Sequence, residues 1–407
     1  MNILFLTDNF PPERNAAASR VHERACYWIK WGHQVTVITS APNFPEGKLF
    51  PGYKNKFYQV EYIDGIRVVR VKTFIAANKG FFLRILDQVS FMIPALIAGL
   101  FAKKPDVVVA TTPTPFAAVS AWLIALLRRK TFVLEVSDLW PASIVGVGAM
   151  RDSVVIRALE KLELFLYHRA QKIIVLSPAF ETNLVARKIP KNKIDVVING
   201  VDLSRYSPRP RNNELAQSHQ INPDHFVIGY IGTHGMAHAL ENVLHTAELL
   251  KNNSAVKFVF VGAGAARDNL IEMAKSKSLS NVSFIPAQAK EKIAEFWSLC
   301  NVALVHLKNS PVFAEVIPSK IFEAMGMGLP ILIAAPNGEG IAIVEKENVG
   351  VGVQAENPQA LASAILHYLA NPSILKSQGE NGYQAAPQYS RERQAQLFLQ
   401  VLEKKIY

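Results

Sequence analysis

The segment from Ser310 to Pro330, SPVFAEVIPSKIFEAMGMGLP, concentrates residue types that could bind a phosphorylated ligand. Pro318 cannot continue a helix from upstream but suits a first helical turn, so we predict that a helix begins there. The unpaired N–H groups of such a turn, at the positive end of the helix dipole, attract anions. We therefore expect the backbone near Val316 and Ile317 to bind a phosphate, with the Lys320 ammonium beside it.

Two carboxylates flank this predicted anion site. Glu315 lies on the loop before the predicted helix, where it could bind hydroxyl groups of whatever the phosphate carries. Glu323 lies about one turn beyond Lys320, where its carboxylate could accept hydrogen bonds from a ribose. The alternative is an ordinary amphipathic helix with solvated charges, which would be preferred for an isolated Glu and Lys because surface charges are common.

The order of residues in this segment, E-x2-P-x-K-x2-E-A-M-x-x-G-x-P, resembles the E-x7-E signature of the retaining glycosyltransferases of family 4. The resemblance implies an α/β protein of the GT-B class, with two Rossmann-like, doubly wound domains facing each other across a cleft. It also implies that Glu315 contacts the donor sugar, Lys320 the diphosphate and Glu323 the nucleoside ribose.

A glycine loop in the second half matches that family in part. Gly232 follows a predicted strand, Phe226–Ile231, and opens a strand-to-helix turn of the kind that suits a phosphate. Family 4 usually has Arg and Lys on the diphosphate here, but this chain has Thr233 and His238, the latter opening a predicted helix. We expect these positions to line the donor site, with the diphosphate charge met mainly by Lys320 and backbone amides.

The first half offers two further candidate positions. Family 4 commonly carries F-P-P and then a glycine pair whose backbone approaches the donor phosphate, and Ala16 and Ala17 replace that pair here, on a loop predicted to precede a helix at Ser19. Asp138 follows a predicted strand, Thr131–Val136, at the edge where α/β sheets bind ligands. A helix-capping role is the alternative for Asp138.

The four residues from Asp138, DLWP, resemble a segment in one branch of family 4. That branch builds bacterial surface polysaccharides from amino-deoxy sugars and includes N-acetylfucosaminyl transferases, in which the segment borders the acceptor side of the cleft. The resemblance makes Asp138 a candidate for orienting the acceptor. We group it with Glu315 and Lys320 as the candidate catalytic residues.

The length and the element pattern predict two domains. A chain of 407 residues exceeds what one core usually supports, and its 50% hydrophobic and 19% charged residues exclude a disordered chain. Strand and helix patterns alternate through both halves, as in parallel α/β folds. We predict an acceptor-binding, membrane-facing domain at 1–205, a nucleotide-sugar-binding domain at 206–389, and a terminal helix at 390–407 that crosses back to the first domain.

The positive charge of the chain is confined to its first half. Residues 1–200 hold 26 Lys and Arg against 15 Asp and Glu, whereas residues 201–407 hold 18 of each. Such a half attracts nucleic acid or an anionic membrane, and because no nucleic-acid-binding module is found we favour the membrane. The apolar stretch 81–101 is too short in its uncharged part to span a bilayer, so a core helix and an interfacial membrane helix both stay open.

Metal and redox signals are weak in the sequence. Cys26 and Cys300 are far apart, and we find neither a His cluster at metal spacing beside them nor a convincing Asp-x-Asp pair. We therefore expect no metal site, no cofactor and a reducing compartment. The N-terminus does not resemble a signal peptide, so the expected location is the cytoplasm, at the inner face of the cell membrane.

These expectations combine into a hypothesis of function. The protein would transfer a sugar, with N-acetyl-L-fucosamine or a related amino-deoxy sugar as our specific guess, from a uridine diphosphate donor. The acceptor would be a polyprenyl-diphosphate-linked saccharide in O-antigen or capsule synthesis, and the anomeric configuration would be retained. Two alternatives stay open, a membrane-associated sugar-nucleotide-binding subunit with weak catalysis and a sugar-nucleotide epimerase.

Overall fold

A computed structural model describes residues 1–13, 15–44, 46–75, 81–146 and 153–404. The chain forms two compact units, one of Met1–Ile198 with Glu392–Tyr407 and the other of Asn199–Arg391. Each unit is built around its own mainly parallel sheet, flanked by helices. The alternation of strands and helices that the sequence predicts is therefore present in both halves.

The first unit contains an eight-stranded sheet in the order β3-β4-β2-β1-β5-β6-β7-β8. Its strands are β1 Asn2–Leu6, β2 Gln34–Ser40, β3 Tyr58–Ile63, β4 Ile66–Val71, β5 Val107–Thr111, β6 Thr131–Val136, β7 Lys172–Val175 and β8 Ile194–Val196. Its helices before residue 199 are α1 Ala16–Lys30, α2 Phe81–Leu100, α3 Pro115–Arg128, α4 Ala142–Gly146, α5 Val154–Arg169 and α6 Pro178–Ala186. All neighbouring strands are parallel except β3 and β4.

Burial explains which strands the sequence predicts well. The central strands are continuous apolar runs because helices cover both faces of a parallel sheet, and β5 is buried along its whole length. β3 was not predicted from the sequence; it lies at the sheet edge and alternates between exposed and half-buried residues. An exposed edge strand carries no apolar run to mark it.

The second unit contains a six-stranded parallel sheet in the order β11-β10-β9-β12-β13-β14. Its strands are β9 Phe226–Ile231, β10 Val256–Val261, β11 Val282–Ile285, β12 Val302–His306, β13 Ile331–Ala335 and β14 Gly350–Gln354. Its helices are α7 Asn213–Ser218, α8 Glu241–Leu249, α9 Arg267–Ser276, α10 Ile293–Trp297, α11 Pro311–Ala314, α12 Lys320–Met327, α13 Glu339–Lys346, α14 Pro358–Ala370 and α15 Pro372–Ala385. This is the doubly wound Rossmann order, and the strand order reverses between β9 and β12.

The last helix, α16 (Arg391–Glu403), packs on α1 of the first unit. The indole Nε1 of Trp28 donates a hydrogen bond of 3.0 Å to the Ala395 carbonyl. The Trp28 and Phe398 rings lie 5.4 Å apart, and the Arg24 guanidinium lies 4.0 Å from the Phe398 ring centre. The last residues of the chain thus complete the core of the unit that contains the first ones.

α2 has two faces of different exposure. Its inner face is buried at Gln88, Phe91, Ala95 and Ala98. Its outer face exposes five large apolar residues at helical spacing, Leu83, Leu86, Ile93, Ile97 and Leu100. No helix in the described part of the chain is both long and apolar enough to cross a membrane.

We predict that Phe398→Ala lowers the free energy of unfolding of the first unit by about 3–5 kcal/mol, because it opens a cavity against Trp28. Gln400→Ala, on the exposed side of the same helix, is the matched control and should stay within about 0.5 kcal/mol of wild type. Urea unfolding followed by tryptophan fluorescence measures both. Equal stability of the two variants would show that α16 does not contribute to this core.

Candidate functional site

The predicted donor residues lie on two neighbouring connections of the second unit. One connection follows β9 and begins at Gly232, and the other follows β12 and ends at α12. β9 and β12 pair in parallel, and their carboxyl ends mark the point where the strand order reverses. Doubly wound sheets bind their ligands at this position.

α12 begins at Lys320, two residues later than the sequence analysis predicted. Pro318 instead opens a tight turn, in which the Ile321 N–H donates 3.1 Å to the Pro318 carbonyl. The following amides of Phe322 and Glu323 then bond to the Ser319 carbonyl at 3.1 and 3.2 Å. A proline fits both the first turn of a helix and a tight turn before it, so the sequence alone does not determine which residue begins α12.

The Lys320 side chain lies against the backbone at the end of β9. A Cβ atom at Gly232 would stand 2.6 Å from Lys320 Cε and 2.8 Å from Nζ, and Gly232 also has a φ of +144°. The Lys320 ammonium lies 4.8 Å from the ring centre of Tyr230. Burial lowers the pKa of Lys320 to about 8, with Glu323 opposing the shift. The site therefore contains a cation that is poorly solvated and available to an anion.

Glu323 is held by a residue that the sequence analysis missed. The buried indole of Trp297 donates a hydrogen bond of 3.2 Å from Nε1 to Glu323 Oε2. Burial raises the pKa of Glu323, and the Trp297 hydrogen bond acts in the opposite direction. No pattern in the sequence marks Trp297, because it ends a short helix, α10, that lies 26 residues before Glu323.

Glu315 is the C-cap residue that follows the short helix α11, and its backbone is close to helical at φ −86° and ψ −6°. The next two residues, Val316 and Ile317, are half-buried, and within the described residues their N–H groups donate no hydrogen bond. The first turn of α13 packs on this loop, since a Cβ at Gly340 would stand 3.4 Å from Pro318 Cδ and 3.5 Å from the Val316 carbonyl oxygen. The loop is thus supported from behind while two of its amides stay available.

His238 and Thr233 lie on the loop after β9. His238 ends a 3₁₀ turn rather than opening a helix as predicted, and α8 begins only at Glu241. Its Nδ1 lies 3.3 Å from the His306 carbonyl oxygen, while His306 Nδ1 lies 2.7 Å from the His238 carbonyl oxygen. Burial and Lys320 lower the pKa of His238 to about 3, so its ring is neutral near pH 7. Thr233 is exposed.

The same loop holds a second histidine that the sequence analysis did not single out. His234 is fully buried, and neither ring nitrogen has a hydrogen-bond partner among the described residues. Burial, Arg267 and Lys320 lower its pKa to about 4. In the sequence, His234 is marked only by its place on the glycine loop, between Thr233 and Gly235. The sequence does not show whether its ring is buried or exposed.

The three remaining predicted residues belong to the first unit. The Asp138 carboxylate accepts a hydrogen bond of 2.9 Å from the Ser143 hydroxyl in α4. Its backbone carbonyl accepts another, of 3.3 Å, from Thr112 Oγ1. Asp138 lies four residues before α4 begins, so it does not hold the capping position next to the helix. The hydrogen bond from Thr112 joins the loop after β6, which contains Asp138, to the loop after β5.

Ala16 and Ala17 form the first turn of α1 instead of the loop that was predicted, because the Asn15 side chain caps the helix with a 2.8 Å bond to the Ala18 N–H. A buried ion cluster ties this helix to β6, with Glu135 Oε1 2.8 Å from Arg24 Nη2 and 3.2 Å from Arg20 Nε. Burial alone would raise the pKa of Glu135, but the two guanidinium groups lower it to about 2.

One side-chain cluster in the described residues could hold a metal ion, and it belongs to the first unit. His22, Cys26 and Asp64 have ligand atoms within 4.8 Å of one another. The prediction of no metal site rested on the lack of a His cluster at metal spacing beside either cysteine, and it did not consider the single His22, one helical turn before Cys26. The third member comes from a turn far along the chain, which the sequence does not link to α1.

Two family profiles match the chain over complementary regions. Residues 15–200 match the profile described as "Glycosyl transferase 4-like domain", and residues 211–385 match "Glycosyl transferases group 1". The putative colanic acid biosynthesis glycosyl transferase WcaI of Escherichia coli is 24% identical over 382 residues, which cover 91% of this chain and 93% of that protein.

Solved structures share the whole fold at lower identity. Sucrose-phosphate synthase of Thermosynechococcus elongatus superimposes with a TM-score of 0.80 at 18% identity, covering 99% of this chain and 100% of the other. HepE of Anabaena, solved in complex with UDP-glucose, superimposes with a TM-score of 0.73 at 17% identity and covers both chains fully. These likenesses show the GT-B fold, and the two profile matches, which together span most of the chain, identify it as a glycosyltransferase of the group 1 family.

Proposed function

We propose that the second unit binds a nucleoside diphosphate sugar at the carboxyl ends of β9 and β12, and that UDP is its nucleotide. The observation that carries the proposal is the poorly solvated Lys320 ammonium next to Gly232, with the available amides of Val316 and Ile317 on the preceding loop. A diphosphate satisfies both kinds of donor at once. The UDP and UDP-glucose complexes of HepE support uridine.

In the proposed reaction the bond between the sugar and the β-phosphate breaks, and negative charge builds on the leaving diphosphate. Lys320 and the two loop amides stabilise that charge while the sugar acquires oxocarbenium character. A hydroxyl oxygen of the acceptor bonds to the anomeric carbon with retention of configuration, and the hydroxyl proton passes to the leaving diphosphate. Glu315 binds hydroxyl groups of the sugar, and Glu323, positioned by Trp297, accepts hydrogen bonds from the ribose. Lys320 and the two loop amides meet the negative charge of the diphosphate, and we propose no metal ion and no cofactor for the step.

This chain departs from the family 4 pattern at Thr233 and His238, and both residues fit a site in which Lys320 and backbone amides meet the diphosphate charge. Family 4 members place a second cation where this chain has His238, and the neutral ring of His238 can supply a hydrogen bond but not a charge. Thr233 and the backbone of the loop after β9 provide neutral donors. Ala16 and Ala17 form the start of α1, and we propose that their backbone N–H groups bind a phosphate.

We propose that the first unit supplies the acceptor side and that Asp138 orients a lipid-linked saccharide. WcaI supports a role in bacterial surface polysaccharide synthesis, because its name places it in colanic acid biosynthesis. N-acetyl-L-fucosamine or a related amino-deoxy sugar is our specific proposal for the transferred group, and it rests on the DLWP segment at Asp138. The acceptor class is a polyprenyl-diphosphate saccharide of an O-antigen or capsule.

The outer face of α2 supports attachment to an anionic membrane at its cytoplasmic side. Five apolar residues occupy that face, and Phe101, 85% exposed, extends the row beyond the helix end. Lys103 and Lys104 follow directly and are exposed, as is Arg129 at the end of α3. An apolar helix face bordered by cations fits the interfacial region of an anionic bilayer.

We predict that the affinity for UDP falls as the pH rises above about 8, because Lys320 loses its charge there while bound diphosphate favours the charged form. Titration calorimetry from pH 7 to 9.5 should show up to about a tenfold loss per pH unit, with proton uptake on binding. Lys320→Met should bind weakly and lose this pH dependence. Lys346→Met, at an exposed lysine, is the control. An unchanged pH profile in Lys320→Met would exclude the assigned role.

We predict different effects for the two carboxylates of the site. Glu315→Gln should reduce the rate of sugar transfer by about 10²–10³ and leave the Kd for UDP within about threefold, because Glu315 contacts only the sugar. Glu323→Gln should weaken UDP binding by about tenfold or more, because it removes a charged acceptor from the ribose. Product formation from a panel of UDP-sugars and a polyprenyl-diphosphate saccharide, together with UDP calorimetry, measures both.

The exposed Glu345→Gln is the matched control for these variants and should match wild type in both assays. Equal losses of UDP affinity in Glu315→Gln and Glu323→Gln would contradict the separate roles. Product formed without acceptor, as an isomerised donor, would favour the epimerase. Donor binding without turnover of any sugar in the panel would favour a binding subunit.

We predict that the full-length protein co-sediments with phosphatidylglycerol vesicles at low salt and much less with phosphatidylcholine vesicles. Ile93→Glu combined with Ile97→Glu should abolish co-sedimentation, because both side chains lie on the exposed face of α2. Leu249→Glu, at an exposed apolar residue of the second unit, is the control and should keep it. Wild-type protein that stays in the supernatant at low salt would refute the membrane proposal.

A further inference from the structure

His22, Cys26 and Asp64 form a compact group of metal-ligating side chains within the first unit. His22 Nε2 lies 2.9 Å from Asp64 Oδ2 and 3.5 Å from Cys26 Sγ. All three ligand atoms lie within 4.8 Å of one another. None of these residues has a role in the proposed sugar transfer.

The fold fixes the positions of all three side chains. His22 and Cys26 are four residues apart on α1 and therefore lie on one helix face. Asp64 lies in the turn between β3 and β4 with a φ of +49°, and this turn packs on α1, since a Cβ at Gly65 would stand 3.1 Å from the Ile29 side chain. The Phe10 ring meets the His22 imidazole edge to face at 5.6 Å. Helix and turn thus hold the group without any bound ion.

Hydrogen bonds within this group cannot satisfy all three side chains at once. A single ring nitrogen of His22 faces both a carboxylate oxygen and a thiol sulfur, and one proton on that nitrogen can be directed to only one of them. A divalent cation placed between the three atoms interacts with all of them at once. The separation of 3.5 Å between His22 Nε2 and Cys26 Sγ agrees with about 3.5 Å expected for nitrogen and sulfur ligands around a tetrahedral zinc ion.

We propose that His22, Cys26 and Asp64 bind one Zn²⁺ ion, with a water molecule in the fourth position. A donor set of imidazole, thiolate and carboxylate suits zinc better than magnesium or calcium, which prefer oxygen ligands alone. Asp64, with 66% of its side chain exposed, leaves an entry path for the ion. The bound ion joins α1 to the β3–β4 turn.

The test uses the full-length protein, freed of metal with a chelator and kept reduced. Titration with Zn²⁺ against a chromophoric chelator should give one bound ion per chain and a higher Tm. Co²⁺ in place of Zn²⁺ should give visible bands of tetrahedral intensity and a thiolate charge-transfer band in the near ultraviolet. Asp64→Asn, in an exposed turn, and Cys26→Ser should each lower the Zn²⁺ affinity by more than about tenfold.

Two control variants locate the binding. Cys300→Ala removes the other cysteine, which is buried in the second unit, and His245→Ala removes an exposed histidine on α8. Both should bind Zn²⁺ and Co²⁺ like wild type. Less than one tenth of an equivalent of zinc bound to the wild type, or unchanged affinity in both Asp64→Asn and Cys26→Ser, would overturn the proposal. So would a cobalt spectrum without a thiolate band.

Discussion

The contact between the Lys320 ammonium and the glycine backbone at the end of β9 is the constraint on which the site of this protein depends. A cation is costly to bury, and this one has an aromatic ring and a carboxylate near it but no close ion pair in the described residues. It is tolerated because Gly232 has no side chain and Tyr230 offers its ring face. The positive charge of Lys320 therefore attracts a diphosphate to the carboxyl end of β9.

The rest of the second unit can be understood as support for that contact. The reversal of strand order between β9 and β12 leaves a space at their carboxyl ends, which the loop after β9 and the first turn of α12 border. α13 packs behind the Ala314–Pro318 loop, and Trp297 orients Glu323. In the first unit, the buried cluster around Glu135 performs a similar task, because it fixes α1 against the strand that leads to Asp138.

The sequence predicted most strands of both sheets and the identity of the residues around Lys320, because continuous apolar runs and a dense motif are local signals. It did not predict β3, whose residues are half-exposed, or the exact start of α12, which depends on a tight turn after Pro318. Trp297, His234 and the group at Cys26 were missed for a different reason. Their roles depend on neighbours that are distant in the chain and become visible only in the folded structure.

We propose that a diphosphate binds between Lys320 and the amides of Val316 and Ile317, and a crystal structure of the protein with UDP would test this. We expect phosphate oxygens within hydrogen-bond distance of Lys320 Nζ and at least one of these amides, with the ribose hydroxyl groups on Glu323. UDP bound elsewhere on the chain, with Lys320 still packed on Tyr230 and contacting no phosphate, would contradict this proposal.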